Sequence, residues 1–113
     1  MSNATKQRVE RKARAAMFAA LADETRLSLV DKLAAGSPQS ISRLAADSKL
    51  TRQAITKHLR VLEEAGIVLS SRAGRESLFQ FQPHPMKEMQ DYIERVSAQW
   101  DDALARLKAF VEK

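Results

Sequence analysis

Five residues with the most chemistry to offer lie close together in this 113-residue chain: Arg52, Gln53, Thr56, Lys57 and Arg60. An amide or a guanidinium can form paired hydrogen bonds with a base edge, a hydroxyl can donate or accept, and an ammonium neutralises a phosphate. At about 100° per residue, Ile55, Leu59 and Leu62 share one side of a helix. Gln53, Lys57 and Arg60 then point away from that side, with Thr56 flanking them and Arg52 uncovered in the first turn. No acidic residue interrupts this face before Glu63 and Glu64. Such a face suits the reading of DNA. A solvated basic helix face with no ligand is the plainer alternative.

Two helices must hold these groups in place. Residues 41–47 read as the first, Ser48-Lys49-Leu50 as the turn, and residues 52–65 as the second, with Thr51 at its N-cap. Two short helices meeting across three residues suit a helix-turn-helix, whose second helix enters the major groove. Leu44 and Ala45 face inward and Leu50 anchors the turn. Ser40 can cap the first helix or donate to a phosphate, and Ser40 and Thr51 are counted with the DNA-contacting residues. His58 falls about 60° from the centre of the buried side, where a structural role outweighs that of a ligand or base.

Gly66 stops the second helix. Residues 67–71 read as a strand, Arg72-Ala73-Gly74-Arg75 as a turn, and residues 76–82 as a second strand carrying Phe79 and Phe81. A hairpin following such a helix is a wing. Arg72 and Arg75 flank its glycine and suit phosphate or minor-groove contact, though charged hairpin tips are common.

Upstream, residues 1–5 show no pattern and read as flexible, Ser2-Asn3-Ala4 having the look of an expression remnant. Residues 6–20 have strong helix propensity. Val9, Ala13, Ala16, Met17 and Ala20 form a face of mostly small residues fit for close packing, with Met17 placed at a subunit contact. The opposite basic face is either solvated or touches phosphates. Asp23 caps a helix over residues 24–34, with Leu27, Leu29, Val30 and Leu33 as its apolar side. Gly36-Ser37-Pro38 ends it, Gly36 being able to take the left-handed cap conformation. Arg26 could reach DNA, but an ion pair with a neighbouring carboxylate is the expected role.

Pro83-His84-Pro85 reads as a break, and His84 as a surface linker residue rather than a metal ligand. Residues 86–112 form the longest helical pattern. Met86, Met89, Ile93, Val96, Trp100, Ala103, Leu107 and Phe110 recur every 3.5 residues on average, the period of a pairing seam. A helix of about 27 residues spans roughly 40 Å, more than so small a domain covers. The seam predicts a homodimer anchored at Trp100, with a ligand cavity beside that ring as the lesser alternative.

Composition sets the outer limits. The length fits one domain over residues 6–113. An apolar fraction of 44% and a charged fraction of 29% fit a soluble globular protein, and no apolar run approaches a membrane span. The net charge of +5 is concentrated in residues 1–20, where five cations face one anion. A basic balance favours a polyanionic partner without deciding it. The chain has no cysteine, which excludes disulfides and thiolate ligation. With no secretory signal, the cytoplasm is the expected location. No Gly-rich phosphate loop, paired histidines or carboxylate couple is present, so no enzyme and no cofactor are expected.

The stretches FAALADETRLSLVDKL (residues 18–33) and ISRLAADSKLTRQAITKHLRVLEEAGIV (residues 41–68), with Arg72, Gly74 and Arg75, resemble the ArsR-type family of winged helix-turn-helix regulators. The resemblance covers about residues 14–113. It implies a mainly α fold with a small β-hairpin, a homodimer formed through the first and last helices, and repression at an inverted-repeat operator until an inducer arrives. Metal-sensing members carry a Cys-x-Cys box where this chain has Ser40 and Ser42, and hydroxyls do not replace thiolates for soft metals. Others bind zinc through acidic and histidine residues on the last helix, which is read here as having no histidine, although Asp91 and Glu94 are present. The expectation is therefore a regulator of double-stranded DNA with no metal site and an inducer the sequence does not identify. A winged-helix module that binds a partner protein is the alternative.

Overall fold

Four helices begin on a side chain that takes up a first-turn backbone N–H, the group a helix start leaves without a partner. In the computed structural model, which describes residues 2–112, Ser2 caps α1 (Asn3–Leu21) through the Thr5 N–H, and Asp23 caps α2 (Glu24–Ala34) through the Arg26 N–H. Ser40 caps α3 (Ile41–Ala46) through the Arg43 N–H, and Thr51 caps α4 (Arg52–Glu64) through the Ala54 N–H at 3.1 Å. Thr51→Ala is expected to destabilise the protein by about 1 kcal/mol, read as a lower urea midpoint at constant slope.

The end of α4 is fixed as firmly as its start. Gly66 takes a φ of 82°, its N–H bonds to the Glu63 carbonyl, and the Ile67 N–H bonds to the Leu62 carbonyl. That pair of bonds is a Schellman motif, and it needs the left-handed conformation that glycine adopts without steric cost. The chain leaves it directly into the wing.

The wing consists of β2 (Val68–Ala73) and β3 (Glu76–Phe81), antiparallel, with Ala73 opposite Glu76. Only Gly74 and Arg75 remain as the turn. Gly74 has a φ of 65° while Arg75 does not have positive φ, the pattern of a type II′ hairpin turn. β2 runs two residues further than the sequence implies, so Arg72 sits in it opposite Ser77 rather than in the turn, while β3 ends one residue earlier than expected. A further strand, β1 (Gln39–Ser40), pairs with β3 to give a three-stranded sheet in the order β1-β3-β2. Its two residues are too few to show an alternating pattern.

The residues up to Pro83 form one compact unit. Leu29 and Leu33 of α2, Leu44 of α3, Ile55, Leu59 and Leu62 of α4, and Ile67 are its large fully buried side chains. Two expected core residues lie outside it. Leu27 is 46% exposed because α2 turns Leu29, Val30 and Leu33 inward, and Leu27 falls roughly 120° from that side. Leu50, read as the anchor of the turn, is 39% exposed. Gly36 does not take the left-handed conformation; Gly66 and Gly74 are the glycines with positive φ.

From His84 onward the chain forms a second compact unit, nearly all of it one helix, α5 (Pro83–Val111). The helix starts three residues before the expected position. Pro83 and Pro85 fall in its first turn, where a missing N–H costs nothing and a fixed φ suits the helix. His84 therefore belongs to α5, which corrects both the linker reading and the reading of a last helix without histidine. Its Nε2 lies 3.0 Å from Glu88 Oε1. α1 likewise starts earlier than read, at Asn3, in a stretch taken as flexible.

Candidate nucleic-acid interface

The geometry of α4 separates its two sides cleanly. Ile55, Leu59 and Leu62 are buried, while Arg52, Gln53, Lys57 and Arg60 are exposed. Arg52, Gln53 and Thr56 line one open concavity at the start of the helix. Thr56 is half-buried, and its hydroxyl donates to the Arg52 carbonyl at 2.7 Å. Its proton is thus engaged, leaving the oxygen as an acceptor and the methyl as an apolar contact. The Ser40 and Thr51 hydroxyls accept cap bonds from backbone N–H groups, so a phosphate contact from either would use its hydroxyl proton. Val61 continues the outward side of α4 with an exposed apolar group.

Arg72 and Arg75 are both exposed on the wing. The wing is tied to α4 by a contact with no signal in the sequence. Glu63 Oε2 accepts from the Ser70 backbone N–H at 3.2 Å and also from the Ser70 hydroxyl. Glu63, which in sequence merely closes the basic run, is a structural clasp between helix and wing. β1 adds a second tie, setting Ser40 opposite Leu78 of β3 at the start of α3.

The Arg26 side chain departs from its reading as a carboxylate partner, whereas His58 has the structural place at the helix flank expected of it. The Arg26 side chain donates to the carbonyls of Ala20 at 2.6 Å and Ala19 at 3.5 Å, and reaches His58 Nδ1 at 3.2 Å. Asp23 Oδ2 lies 3.8 Å from the same ring nitrogen. The Asp23 carboxyl is held below its ordinary pKa, chiefly because the Arg26 backbone N–H donates to it, with the Arg26 charge helping.

Among the described residues, no group of three or more His, Cys, Asp or Glu side chains could hold a metal ion, and no helix is long and apolar enough to cross a membrane. On α5, Ile93, Trp100, Leu107 and Phe110 are exposed, Trp100 by 64% and Phe110 by 75%. Met86, Val96 and Ala103 are half-buried, and a shallow groove lined by Val96, Gln99 and Ala103 lies beside Trp100. Met17 and Met89, the other two residues expected at a subunit contact, are buried.

Comparison with known proteins agrees with this geometry. Residues 21–70 match the helix-turn-helix domain family. The chain is 39% identical over 80 residues to YuzN of Bacillus subtilis (strain 168), an uncharacterised HTH-type transcriptional regulator, covering 66% of this chain and 87% of that one. An ArsR-like transcriptional regulator from Rhodococcus sp. RHA1 superposes with a TM-score of 0.79 at 37% identity, over 89% of this chain and 94% of that one. A homodimeric winged helix-turn-helix DNA-binding domain from Mycobacterium bovis shares the fold at 21% identity, with a TM-score of 0.62 over 92% and 91% of the two chains. With a helix-turn-helix, a wing and relatives of this closeness, the chain belongs to the ArsR family of winged helix-turn-helix transcriptional regulators.

Proposed function

We propose that the protein is a homodimeric, sequence-specific DNA-binding repressor acting on an inverted-repeat operator in the cytoplasm. The observation that carries this reading is the outward side of α4, where Arg52, Gln53, Lys57 and Arg60 stand exposed opposite Ile55, Leu59 and Leu62. Gln53, Thr56 and Lys57 read bases. Arg52, Arg60, Arg72 and Arg75 hold phosphates and fix the register. The exposed seam of α5 and the homodimeric state of the M. bovis relative support pairing of two copies. Two-fold symmetry then sets two recognition helices in major grooves roughly 34 Å apart. Release by a soft metal is no part of the proposal, because the chain has no cysteine and Ser40 and Ser42 stand where metal-sensing relatives carry them.

Selection of bound duplexes from a random library, with and without candidate metals, tests this. The expected product is a near-palindrome, insensitive to metal, whose affinity falls steeply as salt rises. Failure to select any duplex would overturn the reading in favour of a module that binds a partner protein. A selected site without dyad symmetry would overturn the dimer.

A further inference from the structure

Arg26 joins three helices at one point. Its Nε and Nη2 donate to the Ala20 and Ala19 carbonyls in the last turn of α1, where a cation suits the dipole; the Ala19 carbonyl also accepts from the Ala22 N–H. Its backbone N–H is held by Asp23, the N-cap of α2. Its Nη1 lies 3.2 Å from Nδ1 of His58, on α4. A guanidinium only donates, so this contact requires Nδ1 as the acceptor, with the ring proton on Nε2. The Asp23 oxygen at 3.8 Å is too far to compete as a hydrogen-bond partner for that nitrogen.

Around α4, His58 lies about 100° from Lys57, with Ala54 and Val61 between them. Ile55, Leu59 and Leu62 seat α4 against the core by shape, whereas the Arg26 bond fixes one flank by direction. Direction matters here. On a helix about 5–6 Å in radius, a rotation of about 20° moves surface atoms by about 2 Å, more than a hydrogen bond to a base tolerates.

We propose that Arg26 and His58 are positioning residues for operator recognition: Arg26, seated on the α1 carbonyls, holds His58 and thereby sets the rotation of α4. The proposal rests on the DNA-reading role given to α4. Neither residue touches DNA; each acts through the seating of Gln53, Thr56 and Lys57.

Two substitutions of His58 test it. His58→Leu keeps most of the volume and removes the acceptor, while His58→Asn places an oxygen near the former Nδ1. Operator affinity is expected to fall about tenfold in His58→Leu and to stay within about threefold of the wild type in His58→Asn, the scale of one hydrogen bond to a charged group. Binding to a random duplex should change little in either. Hydrogen exchange of the free protein is the readout that needs no DNA. Amides in the first half of α4 should exchange faster in His58→Leu and at nearly the wild-type rate in His58→Asn. Should His58→Leu fail to fold, Arg26→Lys takes its place, since one ammonium cannot span both the α1 carbonyls and the imidazole. Wild-type operator affinity and wild-type exchange in His58→Leu, or in Arg26→Lys where that variant stands in for it, would overturn the proposal. A wild-type protein that selects no duplex would remove DNA reading instead, and the exchange contrast would then decide whether the contact holds α4.

Discussion

Gln53→Ala is expected to relax base preference at one position in each half-site, at a cost of roughly 1–3 kcal/mol per half-site. The effect follows from where the amide stands. Gln53 is exposed in the first turn of α4 and lines the same concavity as Arg52 and Thr56. It carries both a donor and an acceptor, the pair that matches adenine in the major groove. Because a dimer presents two copies, the affinity for the selected site is expected to fall by about twice that free energy. Binding to random duplex should hold, since a neutral amide neutralises no phosphate. Competition binding against single-base variants of the selected site measures this. Equal weakening on every sequence would mean that Gln53 positions the helix and does not read a base.

Trp100→Ala is expected to have the larger effect on assembly. The indole is 64% exposed at the middle of the α5 seam, and a large aromatic exposed among apolar neighbours is the usual anchor of an interface. Truncating such an anchor costs about 2 kcal/mol or more. An isologous contact counts it twice, so dimer dissociation should become easier by on the order of a thousandfold. Sedimentation across a dilution series reads the change. Operator affinity should fall with it, because each half-site would then be bound separately. The secondary structure should remain, since Trp100 contributes little to the core of a single chain. An unchanged dimer would move the interface away from the seam.

The elements with many periodic residues were legible in the sequence. α4 could be placed to within a residue because Ile55, Leu59 and Leu62 repeat over more than two turns and because Thr51 and Gly66 mark its ends. Features resting on few residues or on distant partners were not. β1 is two residues long and is a strand only because β3 lies beside it. Leu27 shares an i, i+3 spacing with Val30 and Leu33, and periodicity cannot rank that set above the one containing Leu29. Prolines at positions 83 and 85 read as breakers, yet their effect depends on whether a helix precedes or follows them. The roles of Glu63, Arg26 and His58 depend on the tertiary fold, because each partner lies outside its own helix: Ser70 on the wing, the carbonyls of α1, and one another.

The Glu63–Ser70 clasp has a thermodynamic consequence for DNA binding. A wing hinged independently of its helix would lose orientational freedom on meeting the duplex, and that loss would be subtracted from affinity. Here the carboxylate holds β2 against the end of α4 through both a backbone N–H and a hydroxyl. Much of the ordering is therefore completed when the chain folds. On the proposed binding mode, groove and flanking backbone would meet a single rigid body, and the entropy of binding would fall mainly on the exposed side chains at its surface.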